Sequence, residues 1–227
     1  ENLTVSFDGQ DELSGIMNVS SDVNVTEECK GREVTGTAAD MAGNTAETTI
    51  TVNLDKTAPQ INHTLSPEPN AHGWNNTDVT VSYDATDALS GVAEIADDVT
   101  VTEEGAAQTF TGSATDKAGN SAETTATVNL DKTAPTITGS TTPEANEHGW
   151  HNENLTVSFD GQDELSGLMD LSKEVDVIEE CENRDITGVA ADVAGNIAET
   201  TITVNLDKTA PQISHTLSPE PNDAGWN

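Results

Sequence analysis

Basic and aromatic side chains are scarce in this 227-residue chain: Lys and Arg total 8 against 41 Asp and Glu, a formal charge of −33, and Phe, Trp and Tyr make up 3%. So negative a field makes nucleic acid and anionic membranes poor partners and a cation-rich setting the natural one. No run of 18 apolar residues occurs, so no membrane-inserting helix and no signal peptide are expected within the sequence. Five histidines are scattered without metal-ligand spacing. There is no Ser-His-Asp or Cys-His constellation, no Gly-rich phosphate loop, no twelve-residue EF-hand loop and no nonapeptide calcium repeat. The carboxylates recur at a fixed period instead of forming one singular pair, and the expectation is a protein that is not an enzyme.

What is present is repetition. The phrase Leu54-Asp55-Lys56-Thr57-Ala58-Pro59 returns 76 positions later at 130–135 and 76 later again at 206–211. Trp74, Trp150 and Trp226, each preceded by Gly, keep the same step, as do the strings Asp40-Met-Ala-Gly-Asn44, Asp116-Lys-Ala-Gly-Asn120 and Asp192-Val-Ala-Gly-Asn196. A coarser level lies above this, because residues 1–15 are identical to 153–167. Such a period is the mark of a tandem array, and the identity two steps apart points to duplication of a two-module block. Few aromatics with high charge also fit a disordered chain, but phrases held in register with alternating apolar runs argue for order.

The local pattern is that of strands. Leu3-Thr-Val5-Ser-Phe7, Val79-Thr-Val81-Ser-Tyr83 and Leu155-Thr-Val157-Ser-Phe159 alternate apolar and polar residues, which buries one face. Segments 46–54, 122–130 and 198–206 are rich in Thr, Val and Ile and follow Ala-Gly-Asn turn signals, as the last strand of a module would. No stretch carries a helical stripe.

The ordered phrases Gly73-Trp74-Asn-Asn-Thr-Asp-Val79, Asp87-Ala-Leu-Ser-Gly91-Val92, Glu104-Gly105, Ala114-Thr-Asp116-Lys-Ala-Gly119-Asn120 and Leu130-Asp-Lys-Thr-Ala-Pro135 resemble the Ig-like tandem repeats of bacterial and archaeal surface adhesins, S-layer-associated and secreted proteins. The resemblance covers nearly the whole chain. It implies an all-β fold of tandem Ig-like β-sandwich modules of 76 residues in an extended rod. The modules would be 1–54 (lacking its first strand), 55–130, 131–206, and 207–227 (the first strand of a further one). The chain is then either a window of a longer array or a subunit whose tail strand, 209–218, fills the first module of the next copy. The segment between Val92 and Glu103 is shorter than in longer members of the family, so an edge strand or hairpin is expected to be missing there.

In an Ig-like sandwich the linker and two loops meet at one end. That would gather Asp55, Asp87, Asp116 and Asn120 in one module, Asp131, Asp163, Asp192 and Asn196 in the next, and Asp11, Asp40 and Asn44 in the first. Converging hard oxygens suit calcium. The other reading stays open: Asp and Asn are turn formers that satisfy nearby backbone N–H groups, and Lys56, Lys132 and Lys208 stand beside the linker aspartates as alternative partners.

Pro59, Pro135 and Pro211 fix φ and stiffen the linkers, or else simply start edge strands. Trp74, Trp150 and Trp226 read as packing pieces in preference to sugar platforms, which need more exposed aromatics than one per module. Cys29 and Cys181 occupy equivalent positions, with Gly105 between them in the repeat. A module roughly 30–40 Å long at ~3.3 Å per residue keeps them too far apart to pair within an extended chain, which leaves an intermolecular disulfide or a shielded thiol. Asn2, Asn18, Asn24, Asn62, Asn75 and Asn154 head Asn-x-Ser/Thr sequons and are glycosylation candidates.

The functional expectation is a structural spacer of a large extracellular or cell-surface protein (adhesin stalk, sheath or filament subunit), stiffened by calcium and assembled head to tail. Its partners would be neighbouring modules, copies of itself, a surface glycan or another cell-surface protein. The alternative is an accessory carbohydrate-binding or spacer module of a secreted polysaccharide-degrading enzyme, with Trp74 and Trp150 touching glycan.

Overall fold

Short β-branched runs separated by Asx and Gly turns have one way to satisfy their backbone, which is to pair side by side. The computed structural model describes residues 1–226, and within them every regular element is a strand and every strand pair antiparallel. Two compact units, Glu1–Asp131 and Lys132–Asn227, divide the chain.

The first unit contains β1 (Leu3–Val5), β2 (Ile16–Val19), β3 (Val23–Val25), β4 (Cys29–Asp40), β5 (Thr45–Leu54), β6 (Gln60–Ser66), β7 (Val79–Thr86), β8 (Val92–Ile95), β9 (Val99–Val101), β10 (Gly105–Asp116) and β11 (Ser121–Leu130). They form four small sheets, β1-β3, β2-β4-β5, β6-β7-β9 and β8-β10-β11. The second unit has β12 (Thr136–Thr142), β13 (Leu155–Gln162), β14 (Leu168–Leu171), β15 (Val175–Val177), β16 (Cys181–Asp192) and β17 (Ile197–Leu206), in sheets β12-β13-β15 and β14-β16-β17. Segment 92–103 is not short of an edge: it supplies β8 to one sheet and β9 to another. Residues 207–226 form no strand.

The cores lie between sheets, as the alternation requires. Val79, Val81 and Val101 from one sheet meet Ala126, Val128 and Leu130 from the other. In the second unit Leu155, Val157 and Val177 meet Ile186, Val204 and Leu206, and Val5, Val25, Val34, Val52 and Leu54 form the remaining cluster. Each buried Val or Leu contributes about 1.5–3 kcal/mol of transfer free energy, so these cores of five or six residues are small.

Two recurrent devices shape the sandwich-like layers. The first is a bulge at the start of each long strand, where register shifts between Cys29 and Arg32, Gly105 and Gln108, and Cys181 and Arg184. The bulge residue has positive φ and is Gly31, Ala107 or Asn183. Its N–H donates to the side-chain oxygen of Asn53, Asn129 or Asn205 at 2.7, 2.7 and 2.6 Å. The second is an aromatic ring laid over a glycine of the facing sheet: Phe7 over Gly36, Tyr83 over Gly112 and Phe159 over Gly188. A Cβ at Gly112 would stand 2.4 Å from the Tyr83 ring, so only glycine lets the layers close at that point.

Identical sequence does not give identical structure here. Residues 155–162 (Leu-Thr-Val-Ser-Phe-Asp-Gly-Gln) form an eight-residue strand between β12 and β15. The same eight residues at 3–10 form only the three-residue β1, which is paired on one side with β3.

Candidate functional site

The loop after β7 and the turn after β10 are built by carboxylates. Asp87 Oδ1 accepts hydrogen bonds from Leu89 N (3.1 Å), Gly91 N (2.6 Å) and Ser90 Oγ (3.3 Å), which winds Asp-Ala-Leu-Ser-Gly into a tight loop. Asp116 Oδ1 accepts from Ala118 N (2.9 Å) and Asn120 N (2.8 Å), and its Oδ2 accepts from Asn120 Nδ2 (2.7 Å). Asp55, in the linker after β5, accepts from Thr57 N at 3.0 Å and, through Oδ2, from Ser90 N at 2.9 Å. The three loops thereby bring one oxygen each of Asp55, Asp87 and Asp116 within 4.8 Å of one another.

Two of these carboxyls are held below the usual carboxylate range. For Asp55 hydrogen bonding from Ser90 is the leading cause, opposed by burial and by the neighbouring Asp116 charge. For Asp116 burial pushes upward, and the hydrogen bonds from Asn120, Ala118 and Gly119 together outweigh it. The site is a cluster of three carboxyl groups with one oxygen of each close to the other two. Two oxygens each bound to one calcium at ~2.4 Å lie at most about 5 Å apart, so the spacing fits a hard divalent cation.

Asn120 stands in the site as a strut. Its amide nitrogen donates to Asp116 Oδ2 and to the carbonyls of Asp55 and Thr57, both at 3.3 Å. The linker is tied on the other flank as well: Lys56 N and Thr57 Oγ1 donate to Glu28 Oε1 at 2.7 and 2.8 Å, and Lys56 Nζ to Thr26 O at 2.7 Å. Lys56 therefore serves a carbonyl and not Asp55. Lys208 does likewise, with its ammonium donating to Ile178 O (2.6 Å) and Asn154 Oδ1 (3.1 Å).

The same turn chemistry recurs at the other expected positions. Asp11 Oδ1 accepts from Gly15 N at 2.7 Å and Asp163 Oδ1 from Gly167 N at 2.7 Å. Asn44 Nδ2 donates to Asp40 Oδ2 at 2.7 Å and Asn196 Nδ2 to Asp192 Oδ2 at 2.8 Å. Asp11 and Asp40 have lowered pKa values, led by the Gly15 N–H in one and the Asn44 side chain in the other. Asp131 closes the first unit with its N–H on Asn75 O at 3.0 Å.

Other expectations meet the structure differently. Asn75 is 5% exposed and donates to Pro67 O at 3.1 Å, whereas Asn2, Asn18, Asn24, Asn62 and Asn154 are exposed. Cys29 and Cys181 are free and half-buried against the cores, with each Sγ near a neighbouring strand's carbonyl, Val52 O at 3.9 Å and Val204 O at 3.8 Å. That is the setting of a packed thiol. Trp74 and Trp150 are half-buried and Trp226 is exposed. The sequence reading did not single out Glu28, Glu180, Asn53, Asn129 or Asn205, although the last three recur at the repeat step inside Val-Asn-Leu. Neither protein-family models nor curated protein sequences give a match to this chain.

Proposed function

We propose that the chain is a structural spacer from a large extracellular or cell-surface protein, a stalk, sheath or filament segment made of tandem Ig-like sandwich modules of 76 residues. Its proposed modules are 1–54, 55–130, 131–206 and 207–227. The observation that carries this reading is the linker at 55–57, anchored backward through Glu28 and Thr26 and forward through Ser90 and Asn120. A linker fixed on both flanks transmits orientation from one folded body to the next, which is the property a spacer needs and a catalyst does not. The acidic surface keeps such a chain soluble and self-repelling.

Calcium belongs to the same proposal. Asp55, Asp87 and Asp116 would hold it. A bound ion would cross-tie linker and loops where hydrogen bonds alone now do so. The test is thermal unfolding of the chelator-treated protein with and without millimolar calcium. A cation bound with free ligand at 100 times Kd adds about 2.7 kcal/mol, so Tm should rise by several degrees and Asp116→Asn should abolish the rise. No shift in the wild type would leave the aspartates as turn formers only. Negative-stain electron microscopy tests the spacer reading itself, which expects straight rods and fails on compact or coiled particles.

A further inference from the structure

At one buried place the second unit has a histidine where the first has an asparagine: His151 stands one repeat step after Asn75. Both are 5% exposed, and both form an isolated parallel bridge to the end of a long strand, Asn75 to Leu130 and His151 to Leu206. The bridges are built alike. Asn75 N donates to Asn129 O at 3.0 Å while its own carbonyl accepts from Asp131 N at 3.0 Å; His151 N donates to Asn205 O at 2.9 Å while its carbonyl accepts from Asp207 N at 3.0 Å. Asn205 in turn donates from its amide nitrogen to Gly149 O (3.2 Å) and accepts the Asn183 N–H of the β16 bulge on its amide oxygen (2.6 Å). The buried residue thus pins the Gly-Trp turn to the end of β17 and to the residue that follows it.

The two side chains differ in what a proton does to them. Asn75 Nδ2 donates to Pro67 O at 3.1 Å, and its buried Oδ1 has no partner. His151 Nδ1 lies 3.1 Å from Asn205 O; a carbonyl only accepts, so Nδ1 carries the ring hydrogen and Nε2 presents a bare lone pair. Nε2 is buried, and among the described residues nothing hydrogen-bonds to it. An acceptor without a donor is tolerated at this place in both units. A charged donor without an acceptor costs far more to bury.

The titratable groups around the ring do not supply that acceptor. On its own segment Glu144, Glu147, His148 and Glu153 are exposed, with His148 Nε2 3.5 Å from Glu147 Oε1. After β17, Asp207 accepts from Thr209 N at 2.9 Å, and Lys208 Nζ serves Ile178 O and Asn154 Oδ1. Beside the end of β17, Glu180 is taken by Lys208 N and Thr209 Oγ1, Glu182 is exposed, and Cys181 Sγ faces Val204 O. Charges standing in water are screened by it; the ring is not in water.

We propose that His151 is a pH-sensitive latch of the second unit, holding the Gly-Trp turn against the end of β17 while its ring is neutral and releasing it when Nε2 takes up a proton. The closed place accepts the neutral ring and water accepts the charged one. The latch is therefore fully present above the ordinary imidazole range near 6.5 and weakens below it, by up to about tenfold per pH unit for one proton. The first unit, with an amide at the same place, has no such response.

The test is residue-resolved amide hydrogen exchange on the full 227-residue chain at pH 8 and pH 5.5, expressed as protection relative to the intrinsic rate at each pH. Protection at His151 and Asp207 should be about tenfold lower at pH 5.5, with Asn75 and Asp131 unchanged. His151→Asn, which installs the first unit's residue, should abolish the difference. Equal protection of His151 and Asp207 at the two pH values would overturn the latch, and so would an equal loss at Asn75 and Asp131 or a loss that persists in His151→Asn. Should that variant not fold, the wild-type comparison of the two units decides on its own.

Discussion

Adding one methyl group at Gly112 should destabilise the fold more than any glycine-to-alanine change on the surface. The Cβ would lie 2.4 Å from Cδ1 and Cε1 of Tyr83 and 2.7 Å from Cγ, all on the ring and not on a flexible tip. The ring cannot retreat freely, because Tyr83 packs against the Val79, Val81 and Val128 core. Overpacking of this kind costs about 1–3 kcal/mol, against a gain of roughly 0.5–1 kcal/mol from the stiffer unfolded chain. For the proposed module of 76 residues the net loss would correspond to a drop in Tm of about 4–8 °C per kcal/mol. Calorimetry or urea unfolding of Gly112→Ala reads this directly. In a Tyr83→Ala background the added methyl should cost nothing, so a double-mutant cycle isolates the clash. Gly36→Ala should be milder even though its Cβ would lie 2.2 Å from Phe7, because Phe7 borders a cleft of about 520 Å³ and can shift into it. A neutral or stabilising Gly112→Ala, or equal costs in the two Tyr83 backgrounds, would refute the reasoning.

Three further outcomes are expected. Ala107 holds φ at 52° where the equivalent bulges use Gly31 and Asn183, so Ala107→Gly should raise stability by about 1 kcal/mol, seen as a higher urea midpoint. The Tyr83 hydroxyl is buried with no hydrogen-bond partner, and its equivalents are Phe7 and Phe159. Tyr83→Phe should therefore be neutral or stabilising by up to about 1 kcal/mol in the same assay, and a clear loss would reveal a partner for that oxygen. Asp11, Asp40, Asp55, Asp116 and Glu180 all have folded pKa values below their ordinary ones, Glu180 chiefly through the Lys208 N–H. Such groups stabilise fully above the unfolded value near 4, and their contribution is lost as pH falls through the lower folded values. Unfolding free energy measured from pH 6 to 2 should fall below about pH 4, and Asp40→Asn should make the slope shallower.

The strands were legible because period-2 alternation in Val79-Thr-Val81 or Leu155-Thr-Val157 is a direct imprint of one buried face. The turns were legible because Asp and Asn four residues apart close a loop on their own. Less visible were contacts between distant segments, such as Glu28 gripping Lys56 and Thr57, or Tyr83 resting on Gly112, since neither end is unusual by itself. A missing edge was expected because segment 92–103 is short beside the longer family members, and the strands β8 and β9 that it supplies to two sheets, of four and three residues, are too short to show alternation. The partners of Lys56 and Lys208 were not legible either: adjacent side chains on an extended backbone point apart, and the two ammonium groups find the Thr26 and Ile178 carbonyls.

The linker at 55–57 has a mechanical meaning beyond orientation. Its hydrogen bonds to Glu28 exist only while the strands on one side are folded, and those to Ser90 and Asn120 only while the strands on the other side are. Pulling or heating the strands on one side open therefore strips half the anchors from the linker. In the tandem array proposed above, failure would spread along the chain from the weakest module outward, as a zip does, so that the strength of the whole would be set by its couplings as much as by its cores.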